Sequence, residues 1–277
     1  MRIPPHSFSP NPDAMSFLRI ASLVCFLAFC LILGCSSRRS NPAASAAPAA
    51  LPRGESTATP SDSLPPERWQ TGQIVHPGDV SRYGAARCFR SMELPDSVFL
   101  LMQGRSYPEG CPIGRAELRY LHVLHYDLEG RIRVGEMVCH RSMAQALTEI
   151  FHELFEARYP IGQMVLIDRY EADDERSMRA NNTSCFNYRS LTGGKSISKH
   201  GRGLAVDINP LYNPYVRRRR DGSRDVRPHN ARPYADRKAQ FACKITAGDR
   251  CHRLFLQHGF RWGGAWRSLK DYQHFER

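Results

Sequence analysis

The chain has no C-x-x-C pair, no visible internal repeat and only one long apolar run. It has nine cysteines in 277 residues, but no two of those beyond residue 35 are three positions apart, as C-x-x-C requires. A zinc-thiolate cluster, which normally uses that spacing, is therefore disfavoured. With 42% hydrophobic residues, the chain allows one domain of ordinary to large size with appendages, and two full catalytic domains would be crowded.

The one long apolar run, IASLVCFLAFCLILG at residues 20–34, follows Arg19 and leads into Cys35. It is about as long as the core of a signal peptide and short for a membrane span of about 20 residues. The letters ILGC resemble a bacterial lipobox, whose cysteine is acylated and becomes the first mature residue. Residues 1–35 are therefore predicted to be a lipoprotein signal peptide, with an ordinary membrane anchor as the alternative. Either interpretation places the rest of the chain outside the cytoplasmic membrane.

Residues 36–66 are rich in Ser, Ala, Pro and Thr and lack the periodic apolar residues that a core needs. We predict a linker over residues 36–70 and a globular domain over 71–277. A flexible coil of some thirty residues spans roughly 30 Å on average and about 100 Å when pulled straight. Such a tether lets a lipid-anchored domain reach a polymer lying off the membrane.

Six cysteines remain beyond Cys35, an even number that favours disulfides outside the cytoplasm. They are Cys88, Cys111, Cys139, Cys185, Cys243 and Cys251. The sequence does not choose among their pairings. Cys243 and Cys251 enclose a short loop that contains Gly248, and we expect this pair first.

The formal net charge is +12, which suggests an anionic partner without naming it. Much of the excess lies in VRRRRDGSRDVRPHNARPYADRK, residues 216–238. This segment is interpreted as a solvated surface loop, with attraction to an acidic polymer or a membrane surface as the alternative. A nucleic-acid partner is not expected for an exported lipoprotein.

The globular part contains both strand-like and helix-like patterns of apolar residues, and we predict an α+β fold. Residues 120–138 contain two apolar-rich runs around the turn DLEG, which indicates a hairpin. SMAQALTEIFHELFEARYP follows, with one apolar face at helical spacing. MVLIDRY, from residue 164, is predicted to be a strand beside the hairpin. A tract rich in Asn, Ser and Gly at 181–203 is typical of loops that build sites.

His200 and Asp207 stand seven residues apart, in SISKHGRGLAVDINP. Fully extended, this segment would separate them by about 23 Å, so the chain must fold back for both to bind one ion. Gly201 and Gly203 supply the freedom to do so, and LAVDI is predicted to be a buried strand that fixes Asp207. Two histidines and one carboxylate leave a fourth position of a zinc ion open for water, as in catalytic sites.

The third ligand is predicted to be His274, in DYQHFER at residues 271–277. Asp271 precedes it by three residues, and positions three apart on a straight strand face opposite sides. DYQH must therefore bend or make a helical turn. Asp271 would then accept a proton from water while His274 holds the ion.

The motifs SxHxxGxAxD, Ser198 to Asp207, and DxxHFE, Asp271 to Glu276, resemble those of the zinc D-alanyl-D-alanine carboxypeptidases and L-alanyl-D-glutamate endopeptidases. The resemblance covers residues 118–277. VDINPLYNPY and GFRWGGAW look like one bacterial branch of this family. The family shares its fold with the amino-terminal Hedgehog domain, which implies a small antiparallel sheet with helices packed on it and a zinc site at the sheet.

The resemblance also implies roles for individual residues. It implies zinc on His200, Asp207 and His274, and an acidic general base at position 271, where many carboxypeptidase members have glutamate. Arg189, in FNYRS, is the candidate for the family's arginine that binds a substrate carbonyl or carboxylate, with a surface salt bridge as the alternative. The glutamine usually found a few positions later is not evident here. Ser198 is either a substrate contact or a structural turn serine.

Other candidates are interpreted as structural. Trp262 and Trp266 either line a substrate groove or pack in the core. Five further histidines are expected to be surface or core residues rather than ligands: His122, His125, His140, His152 and His258.

These expectations combine into a zinc metallopeptidase that hydrolyses the peptide stems of peptidoglycan, anchored by lipid on the periplasmic side of a bacterial membrane, with the outer membrane favoured. The carboxypeptidase activity is placed first and the endopeptidase activity second. A wall-binding lipoprotein without turnover and a module with a structural zinc are further alternatives. A general base at Asp271 favours the enzyme. The bond that is cut and the oligomeric state are left open.

Overall fold

The computed structural model describes residues 64–188 and 196–277. The predicted signal peptide, Cys35 and Arg189 therefore lie outside the described residues. Within these two ranges no helix has the length and apolar character needed to cross a membrane.

The described chain contains short helices and antiparallel sheets. The α-helices are α1 (Pro77–Tyr83), α2 (Asp96–Met102), α3 (Arg141–Glu156), α4 (Asp174–Arg179) and α5 (Arg250–Gln257). The strands are β1 (Ile74–Val75), β2 (Arg90–Glu93), β3 (Leu118–Tyr126), β4 (Ile132–His140), β5 (Ala205–Asp207), β6 (Tyr215–Arg218), β7 (Arg224–Arg227), β8 (Arg261–Trp262), β9 (Lys270–Asp271) and β10 (His274–Glu276). They form sheets of order β1-β4-β3-β2, β5-β10-β8 and β7-β6-β9. This agrees with the predicted α+β class, although three small sheets replace the single one expected.

The hairpin and the long helix form the centre of the fold. β3 and β4 pair from Leu118↔His140 to Tyr126↔Ile132, as the turn DLEG predicted. α3 packs its predicted apolar face on β3, and the residues of this face are buried: Met143, Ala146, Leu147, Ile150, Leu154 and Phe155. His140 caps the start of α3 by accepting a hydrogen bond from the Ser142 amide at 3.2 Å. The helix ends at Glu156, before Pro160.

The folded domain begins earlier than residue 71. Residues Pro66–Arg68 form a short 3-10 helix, and Trp69 is 6% exposed within the main core. The Trp69 indole donates a hydrogen bond to the Leu64 carbonyl at 2.7 Å. The predicted linker over 36–70 therefore extends too far, because one large aromatic side chain in a polar stretch is enough to hold the chain against the core.

The strand predicted at MVLIDRY is wrong. Residues Ile167–Tyr170 form a 3-10 helix, and the preceding residues, although buried, belong to no sheet. Instead, the Asn182 side chain bonds both backbone groups of Val165, at 2.9 and 3.0 Å. At Val165 a side-chain amide thus takes the place of a neighbouring strand, while the Met164 carbonyl accepts a hydrogen bond from the Glu136 amide of β4 at 3.0 Å. An apolar run alone does not reveal this arrangement.

The predicted Cys243–Cys251 disulfide is not formed, and all six cysteines of the described residues are free thiols. Burial raises the pKa of the Cys243 thiol to about 12 and that of Cys251 well above its ordinary value. Both groups therefore stay protonated inside the domain. The short separation of Cys243 and Cys251 in the sequence therefore did not lead to a disulfide between them.

Candidate active site

Two of the predicted ligands lie directly opposite each other on neighbouring strands. Asp207 ends β5 and pairs with His274, the first residue of β10. Opposed residues of an antiparallel pair point to the same face, with Cβ atoms about 5 Å apart. The short β5–β10 ladder therefore brings a carboxylate and an imidazole together across 67 positions of sequence.

His200 reaches the same point because the chain turns sharply after it. His200 lies in a 3-10 turn, His200–Arg202, and Gly203 then adopts φ +67. A Cβ at Gly203 would lie 2.6 Å from the His140 amide nitrogen, so no other residue fits without a shift. The predicted folding back is confirmed, and Gly203 carries it.

The three side chains present a compact set of donor atoms. His200 Nε2 lies 3.1 Å from His274 Nδ1 and 3.3 Å from Asp207 Oδ1, and the last two atoms are 3.1 Å apart. A tetrahedral zinc ion with bonds of about 2.0–2.1 Å would separate its ligand atoms by about 3.3 Å. Two nitrogens and one oxygen at this spacing fit zinc and leave a fourth position.

The remaining imidazole nitrogens have fixed partners. His200 Nδ1 donates a hydrogen bond to the Cys185 carbonyl at 2.7 Å, which leaves Nε2 available to a metal. His274 Nε2 lies 3.4 Å from Glu276 Oε2, which leaves Nδ1 available to a metal. Arg261 in turn donates to Glu276 Oε1 at 3.0 Å. Such partners set the tautomer and orientation of metal-binding histidines.

Neither Glu276 nor Cys185 has a predicted role in the site. Glu276 follows His274 by two residues, and in a strand this spacing puts both side chains on one face; the pattern therefore contained the signal. The Cys185 contact uses a backbone carbonyl, so the residue type carried no information about it.

The acid–base properties of the cluster suit a cation. Burial alone would raise the pKa of Asp207, but His200 and His274 hold it well below its ordinary value. Burial would likewise lower the pKa of His274, but hydrogen bonds to Asp207 and Glu276 raise it to about 10. The carboxylates thus stabilise positive charge at the point where the three donor atoms meet.

Asp271 lies beside this cluster without belonging to it. Among the described residues, the side chains placed closely enough to hold one metal ion are those of His200, Asp207 and His274. The chain bends at Tyr272 and Gln273, between β9 and β10, as the i to i+3 argument required. Gly263 lets its own backbone lie close to Asp271 and His274. A Cβ at Gly263 would lie 2.9 Å from Asp271 Cβ and 3.2 Å from His274 Cβ.

The Asp271 carboxyl has the properties of a proton acceptor. Its Oδ1 is buried and has no hydrogen-bond partner among the described residues. Burial raises the pKa of Asp271 to about 7, with the Asp207 charge adding to the effect and His274 opposing it. A base with a pKa near the working pH is effective in proton transfer.

A cavity of about 850 Å³ opens over these residues. Trp266 lines it, with its ring 5.3 Å from that of His274, whereas Trp262 is buried in the core and donates to the Tyr272 carbonyl at 2.9 Å. Ser198 also lines the cavity. Its Oγ accepts a hydrogen bond from the Gly201 amide at 2.9 Å, which is a structural contact within the turn. None of the five other histidines joins the described metal-type group.

Residues 192–277 match a family model described as D-alanyl-D-alanine carboxypeptidase. The match supports this peptidase family. It spans the three ligand candidates and Asp271, and it leaves out the β3–β4 hairpin and α3. Searches of curated proteins and of solved structures each found no match.

The contact of Glu276 with His274 leads to a prediction for metal affinity. Glu276→Gln removes the negative charge that orients His274, and loss of such a partner typically weakens metal binding about 10-fold to 100-fold. We expect this loss in a competition titration of zinc against a chromophoric chelator. Glu156→Gln makes the same change at an exposed position of α3 and should bind zinc as the unmodified protein does. Equal zinc affinities for the two variants would show that Glu276 has no such role.

Proposed function

We propose that this protein is a zinc-dependent peptidase that hydrolyses peptide stems of peptidoglycan, with D-alanyl-D-alanine carboxypeptidase activity. The observation that carries the proposal is the set of three donor atoms, 3.1 to 3.3 Å apart, with a buried acceptor oxygen of Asp271 in the same cavity. The family match over the same residues supports it.

Each residue of the site has a distinct proposed role. His200, Asp207 and His274 would hold zinc, which when bound supplies Lewis acidity toward the scissile carbonyl. Asp271 accepts the proton of the attacking water and later delivers it to the leaving amine. Arg189 is proposed to hold a carbonyl or carboxylate of the substrate, and the Ser198 hydroxyl, which keeps its proton for donation, is a second candidate contact.

Cleavage between L-alanine and D-glutamate is the second candidate activity. The observation in its favour is the aspartate at position 271, since many carboxypeptidase members resembling this chain have glutamate there. A shorter acid changes the reach of the base and therefore the placing of the scissile bond. A binding protein without turnover needs no buried base, so Asp271 argues against that alternative.

Defined muropeptides test the activity directly. The purified protein is incubated with a pentapeptide stem ending in D-alanyl-D-alanine, and the products are weighed by mass spectrometry. We expect loss of one alanine, and no reaction after zinc is removed with a chelator and before it is restored. Fragments that separate L-alanine from D-glutamate would establish the endopeptidase instead, and an intact stem in the presence of zinc would contradict both activities.

We further propose that acylated Cys35 anchors the chain at the periplasmic side of a bacterial membrane, with the linker carrying the domain toward the wall. The ILGC motif supports this. Cys35→Ala should move the protein from the membrane fraction to the soluble fraction. An unacylated, soluble mature chain in unmodified cells would contradict the anchor.

A further inference from the structure

The first part of the basic segment, up to Arg227, folds into a hairpin beside Asp271. β6 and β7 pair from Tyr215↔Arg227 to Arg218↔Arg224, and β6 also pairs with β9, with Tyr215 opposite Asp271. The solvated loop predicted for residues 216–238 is wrong for this part of the segment, which forms β6 and β7. It is instead the neighbour, in a hydrogen-bonded sheet, of the strand that carries the proton acceptor.

One face of this hairpin continues a wall of the cavity. Tyr215 and Arg227 both line the cavity. Alternate residues of a strand share a face, so Arg217 lies on the same face as Tyr215, about 7 Å farther out. Its cross-strand partner Asp225 lies on this face too. The opposite face buries Val226 against a small apolar cluster with Val216 and Ala231.

The hairpin is strongly and locally positive. Residues 215–227 contain six arginines and two aspartates. Asp225 is already engaged, because Arg227 and Arg219 both lie within ion-pair distance of it, at 3.2 and 3.4 Å. Arg217 is exposed and makes no side-chain hydrogen bond or ion pair with the described residues. An exposed guanidinium without such partners is available to a carboxylate, which it can bind through two parallel hydrogen bonds.

We infer that the cavity-facing side of the β6–β7 hairpin, with Arg217 at its centre, binds carboxylates on neighbouring peptide stems of the polymer being cleaved. The inference rests on the proposed function, since it takes the polymer that the function names. A stem held in the cavity leaves the rest of its polymer outside, and the hairpin face next to Tyr215 adjoins this cavity. Arg217 also lies within one Debye length of the cavity wall, which is about 8 Å at physiological salt, so it can attract an anionic chain toward the site.

The sharpest test compares two adjacent arginines. Arg217→Glu reverses the charge on the face that continues the cavity wall, whereas Arg218→Glu makes the same change on the other face of the same strand. Both side chains are exposed. Because local charge can raise association about tenfold or more, kcat/KM on insoluble peptidoglycan at low salt should fall about tenfold for Arg217→Glu and less than about twofold for Arg218→Glu. Added salt should reduce the difference between the unmodified protein and Arg217→Glu.

Two further measurements separate this inference from the proposed function. Hydrolysis of a short soluble stem peptide tests the function alone, and Arg217→Glu should leave it within about twofold, since no neighbouring stem is present. Co-sedimentation with the polymer tests the hairpin alone, whether or not the stems are cleaved, and Arg217→Glu should reduce it. Equal losses for both variants would assign the effect to net charge, and unchanged binding by Arg217→Glu would overturn the inference. Binding to anionic lipid vesicles that depends on Arg217, with polymer binding unaffected, would overturn it in favour of a membrane surface.

Discussion

Replacing Asp271 by asparagine is expected to reduce the turnover of stem peptides by at least about a hundredfold, since a positioned general base contributes about a hundredfold to ten-thousandfold in rate. Asparagine has nearly the same shape but does not accept the proton. Because Asp271 lies outside the ligand group, zinc content should stay near one ion per chain. The measurements are initial rates on a defined muropeptide and elemental analysis of the same preparation.

Asp271→Glu serves as the matched variant, because it keeps the carboxylate and changes only its reach. It should retain partial activity. If Asp271→Asn cleaved stems at the unmodified rate, another residue would have to act as the base. If it lost zinc, Asp271 would have to be a ligand. Thermal stability should not fall for Asp271→Asn, because burial of the charged form is unfavourable, as the raised pKa of this carboxyl indicates.

Replacing His274 by alanine is expected to remove most of the bound zinc and all measurable turnover. His274 is one of the three proposed zinc ligands, and it lies opposite Asp207 in the sheet. Its loss leaves two of the three donor atoms, and Asp207 then keeps His200 as its ion-pair partner, at 3.3 Å. His200→Ala should have the same result, since its Nε2 completes the same set of donor atoms. Elemental analysis after dialysis gives the metal content.

Thermal unfolding gives a second reading of the same prediction. A ligand that binds only the folded state stabilises it by about 4 kcal/mol at a thousandfold excess over its Kd. Zinc should therefore raise the Tm of the unmodified protein and of His152→Ala, whose side chain lies on α3 away from the site, but not that of His274→Ala. A zinc-dependent rise in the Tm of His274→Ala equal to that of His152→Ala would rule out this ligand set.

Local patterns predicted the elements that local forces decide. The helical spacing of apolar residues from Met143 to Phe155 placed α3, and the turn DLEG placed the β3–β4 hairpin. The need for DYQH to bend also followed from the chain itself, because alternate faces of a strand are fixed by backbone geometry. The run at MVLIDRY failed for the complementary reason: an apolar stretch predicts burial, whereas its hydrogen-bond partner, Asn182, comes from elsewhere in the chain.

By itself, the sequence determined which side chains are available for the chemistry: two histidines, an aspartate and a further acid in fixed order, and a cluster of arginines. Only the tertiary structure decided which of these side chains lie next to each other. Pairing of β5 with β10 put Asp207 opposite His274, Glu276 came into contact with His274, and the start of the arginine segment became a strand next to Asp271. The physical reason is that contacts between residues far apart in sequence depend on strand pairing and register, and a one-residue change of register would turn each of these side chains to the other face.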